Sequence, residues 1–389
     1  MHILIIPSWY PEKQGDVNGS FFREQAIALR KRGYKAGVIA PIFRSMRDIK
    51  GIVTKKYGTK YQNDEGVNTY RHHTIHVPKM PRLVRIRWIR AGLTLYKRYV
   101  KNHGIPDIIH VHSMINGGFL AYEIKKKFNI PYVITEHSTA FARNLISEDI
   151  LSNLEPVVKA SAYNIAVSNE FVKLLNKKTN VTSWQYIPNI VNDEFIAHSF
   201  GQPKVGYRFI NVCLLDKKKR VDTLIKSFAQ SFKGAKDVTL AVGGDGPERT
   251  YLEQLSIELG VQKQVGFLGM LTRKQVMEEV ANSNAFILSS EYETFGVVVI
   301  EALALGKPVV ATKCGGPESI IVDEVGYLVD VNNVEQMAAA MKRLYNNRAK
   351  FKSIDIREYC INNFSEDAVV NKLDKVYNSV LELKKKENT

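Results

Sequence analysis

Apolar residues fall along the chain in short runs, separated by longer stretches in which they recur every three or four positions. HILIIP (2–7) reads as a buried strand, and SFFREQAIALRKRGY after it reads as an amphipathic helix over roughly 19–33. AGVIAP (36–41) and DIIHVH (107–112) are further strands, GGFLAYEIKKKF (117–128) has helical spacing, and PYVITEH (131–137) and YNIAVS (163–168) are again strand-like. The rhythm lapses at IAHSFGQPKVGYR (196–208), where Gly and Pro gather, then restarts with FINVCLL (209–215), VTLAVGG, VGFLG, NAFILSS and PVVAT. Such alternation buries a mostly parallel sheet under helices on both faces. The expected fold is α/β, with two doubly wound Rossmann-like domains at 1–197 and 198–364. An amphipathic helix at 365–389 is expected to pack back toward the first domain. Ligands of open α/β sheets sit beyond the carboxyl ends of the strands. Both domains are therefore expected to turn those ends toward one central cleft.

No apolar run reaches the roughly 18 residues that a membrane-spanning helix needs. The opening MHILIIPSWY lacks the basic region and cleavage site of a signal peptide. Cys213, Cys314 and Cys360 are too scattered for a zinc framework or a disulfide scaffold, which suits a reducing compartment. Charge adds more. Residues 1–200 hold 29 Lys+Arg against 15 Asp+Glu, and 201–389 hold 26 against 24, so nearly all of the net +16 lies in the first half. A field of that sign attracts anionic partners. Its densest part, MPRLVRIRWIRAGLTLYKRYVKNHG (80–104), reads either as an interfacial helix on an anionic membrane or as a core-packed helix with a solvated basic face. Nucleic acid is not expected, because no helix-turn-helix, RNA-recognition or zinc-finger signature accompanies the charge.

The candidate chemistry centres on SSEYETFGVVVIEALALGKPVVA, which starts at Ser289. Phe295-Gly296 reads as a strand-to-helix turn, where free N–H groups at a helix N-terminus suit a phosphate. Glu301 interrupts the apolar run that follows, and a buried carboxylate needs partners. It is expected to find them in a ligand's hydroxyl groups, with an ion pair to a neighbour such as Lys307 as the plainer alternative. VGGDGPE (242–248) also lies between a strand and a helix but is not a G-x-G-x-x-G fingerprint. Lys217, Lys218, Lys219 and Arg220 follow the first strand of the second half, where ammonium groups suit a diphosphate. In the first half His137 ends a strand, placed for acid–base or hydrogen-bonding work, and His110 and His112 alternate along another. No H-E-x-x-H or similar spacing appears, so no metal is expected. Gly19-Ser20 opens the first helix, on what would be the opposite side of the cleft.

These residues together resemble the retaining glycosyltransferases of family four, which have the GT-B fold. The likeness rests on the E-x7-E spacing from Glu293 to Glu301, on GGPESI and VGYLV after it, and on VGGDGPER…VGFLG before it. In the first half it rests on NGSFFREQAIALRKRGY, DIIHVHS, ITEHS and IPNIVNDEF. The resemblance implies that Glu293 contacts the transferred sugar. It implies that the Thr294, Phe295, Gly296, Val297 and Val298 backbone meets sugar and diphosphate, and that Glu301 binds the ribose. Lys219, with Lys218 beside it, matches the diphosphate lysine, and Gly244 falls in the donor-binding turn. His137 matches the histidine near donor sugar and acceptor, and Gly19 with Ser20 matches the acceptor-side loop. Two positions depart from the family. Leu214 stands where it has an arginine, leaving Lys217, Lys218 or Arg220 to substitute, and the usual P-N-G-V-D reads Pro188-Asn189-Ile190-Val191-Asn192. The implied activity moves a sugar with retention from a nucleotide-diphosphate-sugar to a lipid-linked or polysaccharide-precursor acceptor in bacterial cell-surface glycan synthesis. The enzyme would need no cofactor or metal and would work in the cytoplasm, peripherally on the inner face of the membrane. A GT-B nucleotide-sugar epimerase and a non-catalytic sugar-nucleotide-binding protein are the alternatives.

Overall fold

The computed structural model describes residues 1–12, 16, 19–45, 57–76, 81–201 and 206–387. Most of the glycine loop ahead of Gly19, Met80 of the basic segment, part of the 196–208 lapse and the last two residues lie outside the described residues. The chain forms two compact units. One comprises Met1–Val167, Val172–Ile190 and Val369–Thr389, and the other Ser168–Phe171 and Val191–Ala368. The division precedes the Gly/Pro lapse because residues after Val191 are already held by the second unit. The Val191 N–H donates to the Phe364 carbonyl (2.8 Å), Arg357 donates to the His198 carbonyl (2.7 Å), and Arg273 lies over the Phe195 ring (5.5 Å).

In the first unit the strands are β1 (His2–Pro7), β2 (Lys35–Ser45), β3 (Gly58–Asp64), β4 (Val67–His76), β5 (Ile108–His112), β6 (Tyr132–Glu136), β7 (Tyr163–Ala166) and β8 (Trp184–Tyr186), in the sheet order β3-β4-β2-β1-β5-β6-β7-β8. All neighbours are parallel except the β3–β4 hairpin. That hairpin was not expected from the sequence, since β3 is polar and mostly exposed and shows no apolar run. Its turn at Glu65-Gly66 takes positive φ at both residues, the geometry that matches strand twist. The order reverses between β1 and β5, the switch point at which open α/β sheets bind ligands. The helix Pro81–His103 packs on β2 and β4 and buries Trp88, Leu95, Tyr96 and Tyr99. The aromatic residues of the basic segment thus belong to the core, and its exposed side carries Arg82, Leu83, Ile86, Arg90, Lys97, Arg98 and Lys101. The C-terminal helix Glu366–Glu387 contributes Val369, Val370, Leu373, Val376, Tyr377 and Val380 to the core beneath β1 and β2.

The second unit holds β9 (Tyr207–Val212), β10 (Val238–Gly243), β11 (Val265–Gly269), β12 (Ala285–Leu288), β13 (Val309–Thr312) and β14 (Gly326–Val329), all parallel, in the order β11-β10-β9-β12-β13-β14. This is the 3-2-1-4-5-6 order of a dinucleotide-binding sheet, with its switch point between β9 and β12. The Asn211 amide crosses that point to the Ile287 carbonyl (2.8 Å) and locks the two strands together.

Candidate functional site

The carboxyl ends of β9 and β12 bring the sequence-predicted donor residues of the second unit to one place. After β9 the chain makes a 3-10 turn at Lys217–Lys219, capped by Asp216, whose carboxylate accepts from the Lys218 N–H (3.2 Å). After β12 the loop folds onto that turn. Ser289 Oγ donates to the Lys219 carbonyl (2.8 Å) and the Glu291 N–H to the Lys218 carbonyl (2.7 Å). The clamp delivers Lys219 Nζ to Glu293 Oε1 at 2.5 Å, with Ser290 Oγ donating to the same oxygen at 2.9 Å. Both side chains are largely buried, at 19% and 14% exposure, so the pair is only weakly screened by solvent. Burial pulls the Lys219 ammonium toward neutrality, but the charge and hydrogen bond of Glu293 outweigh it and hold the pKa above the ordinary lysine value. Lys219 is a cation throughout the physiological range. Burial also pushes the neighbouring Cys213 and Cys314 thiols up to about 12, leaving them neutral.

Arg220, one of the candidates to stand in for the arginine missing at Leu214, is engaged by a carboxylate. It turns away in a left-handed conformation and makes a two-pronged contact with Asp222 (3.0 and 3.1 Å). Leu214 itself is exposed. Among the described residues the Lys217 and Lys218 ammonium groups make no ion pair, and Lys218 is the less exposed of the two.

Gly296 takes φ 98°, a left-handed value costly for other residues, and turns the loop into the helix Val297–Ala304. The first-turn N–H groups of Val297 and Val298 lack intrahelical acceptors. Thr294 and Phe295 are buried. Gly244 has a packing reason of its own, because a Cβ there would fall 1.8 Å from the Cys213 carbonyl oxygen. Glu301 departs from expectation. Its carboxylate, 14% exposed, lies 3.4 Å from the Arg273 guanidinium, so a partner is present in the protein itself. Lys307 is not that partner. Its ammonium donates to the Gly201 carbonyl (3.1 Å), and burial lowers its pKa to about 8. Arg273 was invisible to sequence reasoning because it comes from another helix, Arg273–Ala281.

In the first unit His137 follows β6 and is buried. Phe21 and Phe22, just after Gly19-Ser20, place their rings 5.1 and 5.0 Å from its own. Gly19 is left-handed (φ 79°) and starts the helix Ser20–Lys31. His137 Nε2 lies 3.0 Å from His112 Nδ1, and His112 stacks on His110 at 4.4 Å between ring centroids. Burial drives His110 and His137 down to about 3, and His112 well below the ordinary value, so all three are neutral. For His137 the proximity of His110 adds to this and the Asn189 side chain opposes it. Glu136, also buried, accepts from the N–H groups of Met114 (2.7 Å), His137 (2.8 Å) and Ser138 (2.8 Å), which fixes the turn carrying His137. Burial raises its pKa, against those three donors. From the sequence His112 and Asn189 are named without a partner for either, and Glu136 is passed over, although the E-H dipeptide is on view.

Two family models match. Glycosyltransferase Family 4 covers residues 19–195 and glycosyl transferases group 1 covers 192–367, so together they span nearly all of the chain. The chain belongs to glycosyltransferase family four. The N-acetyl-alpha-D-glucosaminyl L-malate synthase of Bacillus anthracis is 29% identical to this transferase over 71% of the chain and 75% of its own length. The putative teichuronic acid biosynthesis glycosyltransferase TuaC of Bacillus subtilis is 26% identical over 88% and 89%. Anabaena HepE, solved in complex with UDP, superposes with a TM-score of 0.72 at 16% identity, covering 97% of this chain and all of that one, a likeness of fold. The transferase accordingly has the GT-B class of fold, with two doubly wound Rossmann-like domains. Among the described residues no helix is long and apolar enough to cross a membrane, and no group of three or more His, Cys, Asp or Glu side chains is placed to hold a metal ion.

Proposed function

We propose that this transferase moves a hexosyl group, with retention, from a nucleotide-diphosphate-sugar to a lipid-linked or polysaccharide-precursor acceptor in bacterial cell-surface glycan synthesis. The observation that carries the reading is the Lys219–Glu293 pair at the switch point of the second sheet, beside the helix that Gly296 opens. Lys219, Lys218 and the helix N–H groups would receive the diphosphate, Glu293 the sugar, and Glu301 the ribose. The C1–oxygen bond to the diphosphate breaks with its electron pair leaving on phosphate oxygen. The acceptor oxygen then bonds C1 on the same face, and its proton passes to the departing diphosphate. Fixed cations and N–H dipoles aimed at that developing charge are the dominant catalytic term, and no metal is called for. His137, with Gly19 and Ser20, would sit on the acceptor side. The Bacillus subtilis relative's name, a putative teichuronic acid biosynthesis glycosyltransferase, supports a polysaccharide-precursor acceptor, whereas the Bacillus anthracis relative's name gives L-malate.

The exposed basic side of Pro81–His103, with Leu83 and Ile86, would hold the enzyme on an anionic inner membrane face. Flotation with anionic liposomes tests this, and binding that is absent or insensitive to salt overturns it. The activity is tested by incubating the protein with UDP-, GDP- and ADP-sugars and a bacterial lipid extract. Release of nucleotide diphosphate with a labelled lipid product is expected. Conversion of the donor without acceptor would point to an epimerase, and no turnover of any donor would overturn the transferase reading.

A further inference from the structure

Behind the loop that carries Glu293 lies the glycine turn of the G-G-P-E-S-I stretch, and one buried hydroxyl holds that turn from its far side. We propose that Ser168 is a positioning residue for Glu293, acting through a hydrogen bond to the Gly315 carbonyl that fixes the turn 314–316 against the donor loop. The inference rests on the role given above to Glu293.

Ser168 is fully buried and belongs, with Asn169, Glu170 and Phe171, to the second unit. Its Oγ accepts from the Phe171 N–H (3.1 Å), capping the helix Asn169–Thr179, and donates to the Gly315 carbonyl (2.7 Å). A hydroxyl does both at once because it carries one proton and two lone pairs. Among the described residues that carbonyl receives no other hydrogen bond. The Gly315 N–H is held separately by the Glu318 carboxylate, at 3.0 Å from both oxygens. A second tie joins the same two segments, from the Asn169 N–H to Ser319 Oγ (2.8 Å). The other side of the turn lies on the donor loop. The Glu293 N–H donates to the Cys314 carbonyl (3.1 Å). A Cβ at Gly315 would fall 3.0 Å from the Glu293 carbonyl oxygen, and one at Gly316 2.3 Å from that of Phe295. Backbones this close move together, since no side chain lies between them to absorb a shift. Freeing the Gly315 carbonyl therefore displaces the Glu293 backbone, whose carboxylate has to meet Lys219 Nζ and Ser290 Oγ within hydrogen-bond distance. A serine that only capped its helix would leave the turn and Glu293 where they are.

The test is alkylation of the full chain with N-ethylmaleimide, each cysteine followed by peptide mass spectrometry, in the wild type, Ser168→Ala and Ser168→Gly. Cys314 reports on the turn, and the wholly buried Cys360 reports general opening of the second unit. Glycine caps a helix nearly as well as serine, so Ser168→Gly removes the bond to Gly315 while sparing the helix, and it carries the test where Ser168→Ala fails to fold. In both variants Cys314 should react about threefold faster or more, while Cys360 keeps its wild-type rate. With UDP-glucose, GDP-mannose and ADP-glucose as donors, kcat should fall about tenfold at a nearly unchanged donor KM, because Glu293 is displaced while the diphosphate and ribose contacts remain. Unchanged Cys314 alkylation in Ser168→Gly overturns the proposal, and so does a Cys360 rate that rises together with that of Cys314. Wild-type kcat in both variants overturns it as well. If the wild type consumes no donor, that result counts against the transferase reading, and alkylation alone decides whether Ser168 holds the turn.

Discussion

The two units meet the same problem, polar groups gathered at the carboxyl ends of buried strands, with opposite solutions. The second unit keeps its centre ionised. Lys219 and Glu293 neutralise one another at 2.5 Å, and the surrounding loop contacts exist to hold them there. The first unit keeps its centre neutral, with three imidazoles stripped of protons by burial and tied into a chain. Eight of the nine histidines lie in the first unit, and the second has only the half-buried His198. An ionised pair can stabilise charge developing on a ligand, whereas a neutral chain can only direct hydrogen bonds. Under the proposed function, the contrast would give the electrostatic work to the second unit and the orienting work to the first.

The harshest way to break the contrast is to remove the cation. Lys219→Ala should lower donor turnover by about 100-fold or more, because a fixed charge aimed at the leaving group is lost. It should also leave Glu293 with Ser290 as its remaining close partner, so the second unit should unfold at lower denaturant. Initial rates and urea titration measure the two effects, and wild-type turnover in this variant would remove the charged centre from the mechanism.

Acid should break the other half. The folded pKa values of His110 and His137 lie at about 3, below the unfolded value of 6.5. Between those limits the unfolded chain binds more protons, so stability is full above about pH 6.5 and is lost as pH falls toward 3. The slope is about 1.4 kcal/mol per pH unit for each such histidine. The Lys219 pKa is raised, so its contribution is constant over the same range and is lost only in strong alkali. Hydrogen exchange at pH 5 should therefore show β5 and β6 opening before β9 and β12, and uniform loss of protection would contradict the comparison.

A subtler break lies at Arg273. Removing it in Arg273→Ala leaves the Glu301 carboxylate with its close cation gone, which should cost about 1–2 kcal/mol in thermal or urea stability. Glu301→Ala should recover part of that loss in the double variant while weakening donor binding on its own. Additive effects of the two changes would mean that the 3.4 Å contact does not couple them.

How legible each centre was in the sequence follows from the same difference. Glu293, Lys219 and Gly296 stand in one chain segment or directly after a strand, where spacing and strand ends reveal them. Arg273 lies on a helix distant in sequence from Glu301, and local reading pointed to Lys307 instead. The pairing of His112 with His137 depends on β5 lying beside β6, which an alternating D-I-I-H-V-H pattern cannot disclose. The aromatic residues of the basic segment show the limit of composition, since Trp88, Tyr96 and Tyr99 looked equally suited to a membrane and to the core they fill. The β3–β4 hairpin was missed because polar, half-exposed strands carry no apolar signature.

The smallest effect sits at the far end of the histidine chain. Tyr377 comes from the C-terminal helix, is fully buried, and meets His110 Nδ1 at 2.6 Å. The Gln25 amide nitrogen approaches the same nitrogen at 3.4 Å and can only donate, so Nδ1 of His110 is the acceptor and the Tyr377 hydroxyl donates. Tyr377→Phe keeps the ring and its packing and removes only that donor. It should cost about 1 kcal/mol of first-unit stability in urea. Unchanged urea stability in Tyr377→Phe would show that the 2.6 Å contact to His110 contributes nothing net to the first unit.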